Sequence, residues 1–368
     1  MQTLLHIGMP KTGSTVLQDR LRGSPEALRA HGLLYPSNPP GVRFNNHRML
    51  MLGFTAYENL PRHMLKGDLQ GPDSLPRAYA EFRAHLATQV AEARPERMIL
   101  SSETLFRQLR HKDRAALKEA LAPYGPVTVA AYLRRPSAYY LSALQQHLKA
   151  SHKVNPPRAL PLMRVINAYR RAFGPDAVRP RIYDRAQLAE GDITADFLAA
   201  HLPGSGLAAG DLVREARGNE TLSAESMDLL RGFRAAFHEA KDNVPSDDTR
   251  TLLRTLARID AALEAPRPRL RPEIAESIDY ARPDPLTLRD DWGLVFPGID
   301  YDRLARVFHD RGIPALLRDR LRPWRLDEVV PIDRELQQRI LARLARSRWG
   351  WAPARALWIA GLRRGGAS

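Results

Sequence analysis

The sequence predicts an α/β fold, a doubly wound parallel sheet followed by a mostly helical C-terminal extension. Three observations predict it. Short apolar runs alternate with amphipathic stretches through the first part of the chain, the pattern of strand–crossover–strand units. The first run passes directly into a glycine-bearing turn and then a helix. Beyond about residue 205 the strand-like runs stop and the periodicity becomes helical. The expected division is a core at 1–205 and a helical part at 206–368 that completes or covers it.

Taken in order, Thr3 to Ile7 reads as a strand and Gly8-Met9-Pro10-Lys11-Thr12-Gly13-Ser14-Thr15 as a turn. Val16, Leu17, Leu21 and Leu28 form a stripe that predicts one helix from Ser14 to about Ala30, with Gly32 as its left-handed cap. Leu33 to Pro36 is a short extended piece. Residues 36–75 carry Pro, Gly, Asn and His with weak periodicity, and a long irregular segment in a compact domain is usually functional, here a loop on the substrate side. Leu75 to Ala93 and Asp113 to Ala122 read as helices, and Met98 to Ser101 as a buried strand. Val127 to Leu133 is a central strand, and Pro136 to about Lys149 a helix whose first-turn proline loses no hydrogen bond. Leu162 to Phe173 and Ile193 to His201 are helices. Val178 to Tyr183 is a strand that Pro180 assigns to an edge or a bulge. Right-handed crossovers gather the C-terminal ends of parallel strands on one rim.

In the second part, helices are expected over Ala224 to Glu239 and Asp247 to Leu263. Ala265 to Pro272 is rich in proline and arginine and reads as an extended connector. Residues 273–310 are ambiguous. The tail from Arg334 holds eight arginines and one acid, Glu335, with Trp349, Trp351 and Trp358. Leu336, Ile340 and Leu344 form a stripe that docks on the protein's own surface, or the basic helix rests on an anionic membrane.

Composition excludes several classes. There is no cysteine, hence no disulfide, thiolate metal site or cysteine nucleophile. No apolar run approaches the ~20 residues of a membrane span, and no signal peptide is visible, which suggests a cytoplasmic protein. Net charge is +15, with forty-nine arginines against seven lysines. This reflects a genomic bias, or a positive field that attracts an anionic ligand. No helix-turn-helix, zinc-finger or RNA-recognition signature points to nucleic acid.

Strand, tight turn and helix N-terminus together make an anion site, because unpaired N–H groups and the positive end of the helix dipole aim at one spot. Lys11 adds a full charge there, and Ser14 and Thr15 add hydroxyls. The nucleoside-triphosphate loop places its lysine after the last glycine. Here Lys11 precedes Gly13 by two residues, so that motif is absent. A second element ends the Val127 strand in Arg134-Arg135-Pro136, with Ser142 eight residues after Arg134. A guanidinium fork at a strand end suits bidentate phosphate binding.

Lys-Thr-Gly-Ser-Thr after an N-terminal strand, with Arg-x-Pro-x-x-x-x-x-Ser after a later one, resembles the sulfotransferases that use 3′-phosphoadenosine 5′-phosphosulfate (PAPS), in particular bacterial carbohydrate-sulfotransferase-like members. The resemblance covers about the first 200 residues and implies a P-loop-like nucleotide-binding topology. It implies that Lys11, Thr12, Gly13, Ser14 and Thr15 hold the 5′-phosphosulfate, and that Arg134 and Ser142 hold the 3′-phosphate. Tyr183 matches an aromatic that stacks near adenine in some relatives; its other reading is a core tyrosine. Arg217-Gly218 is too short a match to weigh, and the C-terminal Arg-Lys-Gly loop of cytosolic relatives has no counterpart.

The function this implies is a sulfotransferase that moves a sulfuryl group from PAPS to an acceptor hydroxyl on a carbohydrate or lipid-linked glycan. Sulfate carries less charge than phosphate, so no metal is required. Lys11 is expected to stabilise charge on the leaving oxygen. The proton acceptor is Glu103, after the Met98 strand, or His47, in the irregular loop. Two other readings stand beside this one. The first is a nucleotide kinase-like phosphotransferase; the second is a non-catalytic protein that binds nucleotides or polyanions.

Overall fold

The computed structural model describes all residues except 43, 61–68, 70, 109–110, 215–220, 310–321 and 366–368, and of 107–108, 111–112 and 364–365 it describes the backbone alone. Arg217-Gly218 therefore lies outside the described residues. The chain forms two compact units. The first comprises 1–135, 161–217 and 284–298, and the second 136–160, 218–283 and 299–368. The single cut expected at 205 is replaced by a chain that passes between units several times. Periodicity marks where elements lie and says nothing of which core each one joins.

The first unit is α/β, built on a five-stranded, all-parallel sheet, as the alternation predicts. Its strands are β1 (Gln2–His6), β2 (Leu33–Leu34), β3 (Arg97–Ser101), β4 (Val127–Leu133) and β5 (Val178–Ile182), in the order β2-β3-β1-β4-β5. Leu4 and Leu5 point to opposite faces and both are buried, so the sheet is covered on both sides. β5 is an edge strand, which is where Pro180 is tolerated. The helices are α1 (Ser14–Arg22), α2 (Pro25–Ala30), α3 (Ser74–Ala93), α4 (Leu105–Gln108), α5 (His111–Leu121), α7 (Leu162–Phe173), α8 (Ile193–His201) and α12 (Asp284–Trp292); α6, α9–α11 and α13–α16 belong to the second unit.

One core joins Leu4, Ile99, Ala130 and Tyr132 of the sheet to Leu17 and Leu21 of α1 and to Phe197 and Leu198 of α8. The helix expected from Ser14 to Ala30 is split. Pro25 has no N–H and disfavours helical backbone at Ser24 (φ −130°), so α1 ends at Gly23 and Pro25 opens α2.

The second unit is helical. α6 (Pro136–Leu148), α9 (Ala224–His238), α10 (Asp247–Ala262), α11 (Pro272–Asp279), α14 (Leu326–Val329), α15 (Arg334–Ala345) and α16 (Pro353–Gly365) surround a core that includes Leu144, Phe233, Leu256, Ile278, Ile340 and Trp349, and α13 (Tyr301–His309) belongs to the same unit. The ambiguous region 273–310 thus holds parts of both units. Buried polar groups staple these helices. Asp260 of α10 accepts from the Ser223 N–H (2.8 Å) and the Ser226 hydroxyl (2.7 Å) at the start of α9. Arg234, with no exposed surface, donates to the carbonyls of Ala150 and Lys241. Asp279 accepts from the N–H (2.9 Å) and hydroxyl (2.8 Å) of Ser137, occupying the positive end of α6. No helix among the described residues is long and apolar enough to cross a membrane.

The sheet unit buries imidazoles without charging them. His6 and His201 pack around Phe197, and His201 also meets the Tyr132 ring. Neither ring nitrogen of His201 has a partner among the described residues. Burial, helped by mutual repulsion, lowers His6 to about 3. Burial, then Arg181, lowers His201 to about 4. Both folded values lie below the unfolded value of 6.5, so only the unfolded chain gains protons as pH falls from about 6.5 toward 4. Unfolding stability should therefore drop between about pH 7 and about pH 5, and His201→Phe should shrink that drop by about 2 kcal/mol. Urea midpoints at the two pH values test this; an identical drop in the variant would refute the assignment.

Candidate functional site

The backbone ladder between β1 and β4 does not stop at the strand end. Beyond His6, paired with Ala130, the Ile7 N–H donates to the Ala130 carbonyl, the Tyr132 N–H to Gly8, and the Met9 N–H to Tyr132. The loop after β1 is thus locked to β4 through Met9. Two residues further along each chain stand Lys11 and Arg134. Arg134 Nη1 donates to the Lys11 carbonyl at 2.8 Å, and its own N–H lies 3.3 Å from Met9 Sδ. Sheet order reverses between β1 and β4, since β2 and β3 lie on one side of β1 and β4 and β5 on the other. In parallel α/β sheets the crevice beyond such a switch point is where ligands bind.

The turn has an unusual backbone. Gly8 (φ 87°), Lys11 (φ 70°) and Gly13 (φ 73°) are left-handed. A side chain at Gly8 would put its Cβ 2.9 Å from Glu103 Cβ, and one at Gly13 would meet the Tyr183 ring and Ile193 at 3.1–3.2 Å. Lys11 adopts without glycine a conformation that costs an ordinary residue about 1–2 kcal/mol. The N-cap residue of α1 is Gly13, which has no side chain with which to cap the helix. The first turn of α1 contains no acid.

Each predicted residue has a definite place. Lys11 and Gly13 are half-exposed and Thr15 is exposed, whereas Thr12 and Ser14 are buried. The Thr12 hydroxyl donates to the Met9 carbonyl at 2.6 Å, so it braces the turn and its side chain is spent within the loop. Arg134 lies with its guanidinium 5.8 Å from the Tyr183 ring centroid. Burial lowers its pKa, with Tyr183 and Asp184 opposing, from a starting point so high that it stays a cation. Tyr183 follows β5, donates its N–H to Leu133 (2.7 Å) and lies against Gly13. It serves both readings, packing beside the core cluster and bordering the loop. Ser142 lies on α6, in the helical unit, whereas Arg134 closes β4 in the sheet unit. The geometry unites Lys11, Gly13, Arg134, Tyr183 and Glu103.

The two base candidates separate sharply. His47 has no exposed surface. Its Nε2 donates to the Pro36 carbonyl (2.8 Å), and its Nδ1 accepts from the Ser101 N–H (2.9 Å). Burial lowers it to about 4. With both nitrogens engaged, His47 pins the irregular loop to β3 and is a poor proton acceptor. Glu103 is half-exposed, against Gly8. Gln18 Nε2 donates to Glu103 Oε2 and to Ser101 Oγ, both at 3.0 Å, and Asn46 Nδ2 lies 3.4 Å from Oε2. Arg48 is held by Asn46 Oδ1 (2.9 Å) and stacks 3.9 Å over Phe44; Glu103 acts on it through space. Gln18, Asn46 and Arg48 were not singled out by sequence. Gln18 had one signal, its place four residues after Ser14 on the same helical face; Asn46 had its position beside His47.

Comparison with protein-family models, curated proteins and solved structures finds no match.

The turn's two unusual residues make opposite expectations. Gly8→Ala should destabilise by about 2 kcal/mol or more, since it must displace Glu103 and strain φ. Lys11→Gly should raise stability by up to about 1 kcal/mol by relieving the left-handed cost. Denaturant midpoints decide, and a stabilising Gly8→Ala or a clearly destabilising Lys11→Gly would contradict this account of the loop.

Proposed function

We propose that the chain is a PAPS-dependent sulfotransferase with a P-loop-like phosphate cradle. The observation that carries this reading is the bond from Arg134 to the Lys11 carbonyl. It brings Arg134 of the second motif against the Lys11 turn, while Glu103 lies against Gly8 at the start of that turn. Gly8 and Gly13 bracket four residues as in a triphosphate loop, but Ser14 stands where that loop has its lysine.

In this reading the loop N–H groups, the α1 N-terminus and Lys11 hold the 5′-phosphosulfate, and Arg134 takes the 3′-phosphate, with Tyr183 beside it. The acceptor is a hydroxyl on a carbohydrate or lipid-linked glycan. Glu103 removes its proton as the oxygen attacks sulfur in line. The new S–O bond forms while the bond from sulfur to the 5′-phosphate oxygen breaks, and adenosine 3′,5′-bisphosphate leaves. Lys11 stabilises charge growing on that phosphate oxygen, an interaction stronger in the transition state than in the ground state. Gln18 and Asn46 orient the Glu103 carboxylate.

Thermal-shift titration with adenosine 3′,5′-bisphosphate, against ATP with magnesium, tests the ligand. The bisphosphate is expected to stabilise the wild type without metal. Arg134→Lys and Arg134→Ala should lose most of that shift. Tighter binding of ATP with magnesium would favour the phosphotransferase reading instead. Glu103→Gln should cut sulfuryl transfer by about 10²–10⁴-fold while the bisphosphate shift persists, as removal of a general base does. Retained turnover in Glu103→Gln would overturn its role, and a binding protein without chemistry would show the shift with no transfer at all.

A further inference from the structure

Eight large apolar residues are exposed among the described residues, and four of them, Phe237, Trp351, Leu357 and Leu362, belong to the helical unit around its terminal helix. Trp351 is 67% exposed and Leu357 75%. The inner side of α16 is well seated: Ile359 is buried, and Trp358 packs edge-on against Phe233, Phe237 and Trp349. The outer side should then be polar, as on an ordinary docked helix. It is not. At 100° per residue it carries Pro353, Ala356, Leu357, Ala360 and Gly361, and its first turn contains no acid.

The stretch of chain that carries it is strongly basic. From Arg334 to the end there are eight arginines against the single acid Glu335. Arg343, Arg346, Arg348 and Arg363 are exposed. Arg355 is turned inward, 4.7 Å over the Trp349 ring, and so leaves the apolar side uninterrupted from Pro353 to Gly361, with Arg364 next along the same side. An apolar strip with a solvent-exposed tryptophan, on a stretch of chain rich in arginine and with a single acid, is complementary to an interface with hydrocarbon beneath and anionic head groups above.

We propose that α16 and the Trp351 turn form a docking surface for an anionic lipid bilayer, with the helix lying in the plane of the head groups. Trp351 and Leu357 enter the acyl boundary, and the flanking arginines pair with lipid phosphates. The inference stands apart from the sulfuryl-transfer reading and would survive its failure.

Vesicle flotation tests it with the full chain. Vesicles of phosphatidylcholine mixed with phosphatidylglycerol should carry the wild type, and pure phosphatidylcholine should carry at least about tenfold less, since a membrane-surface helix of this kind relies on both terms. Added salt should release it. The double variant Trp351→Ser, Leu357→Ser alters exposed side chains only and should fold as the wild type, checked by its unfolding midpoint, yet float at least about tenfold less. Absence of wild-type flotation on anionic vesicles, or equal flotation of the variant, would overturn the proposal. So would sedimentation that shows a wild-type dimer dissociated by the double substitution, which would assign the patch to a second copy of the chain.

Discussion

The hydrogen bond from Arg134 to the Lys11 carbonyl joins residues 123 apart in sequence, and the shape of the turn from Gly8 to Gly13 depends on it. The turn holds a lysine in left-handed backbone at a cost of about 1–2 kcal/mol. A charge-assisted bond to that residue's own carbonyl contributes about 1.5–3 kcal/mol, enough to offset it. The bond forms because the β1–β4 ladder runs on to Met9 and Tyr132, which fixes the register of the residues that follow. Sheet register thereby sets the position of two side chains in loops. A slip of one residue would exchange the faces of β4 and take Arg134 away from the turn.

The two base candidates, Glu103 and His47, have opposite surroundings. Both follow from β3, since Ser101 holds His47 through its backbone and Gln18 through its hydroxyl. Burial makes His47 neutral and leaves it no nitrogen to offer. Glu103 sits two residues beyond the strand, against Gly8, and is half-exposed. A proton acceptor needs access and a lone pair, and of the two only the carboxylate has both.

Much of this was legible in the sequence. Helix Leu162–Phe173 and helix Ile193–His201 have the bounds their periodicity predicts, and Pro180 identified an edge strand. These features are local. The split at Pro25 was local too, but the apolar stripe through Leu28 hid it, because α2 continues the same buried face. The passage of α6 into the helical unit was not legible: its apolar residues Tyr140, Leu144 and Leu148 suit either core, and the choice rests on partners such as Asp279 far along the chain. Gln18 and Asn46 were hidden for the same reason. Amides carry no periodic signal, and their role exists only once Glu103 is beside them.

The excess of arginine, ambiguous as composition, sorts by partner once folded. Arg20 is paired with Asp192 and also donates to the Ala209 carbonyl; Arg181 makes two 2.7 Å bonds to Asp196, whose carboxyl burial would raise but these bonds and Tyr132 hold low. Their charges are cancelled in place. Arg234 spends itself on carbonyls and a threonine inside the helical unit, with no surface left for a ligand. Arg134 differs from all three. It is partly exposed at a strand end, its side chain bonds a neutral carbonyl, and the loop it holds ends at a helix whose N-cap residue is glycine. Among the described residues no carboxylate is hydrogen-bonded to this cation, and Asp184 acts on it only through space; under the proposed function a doubly charged phosphate would be its partner.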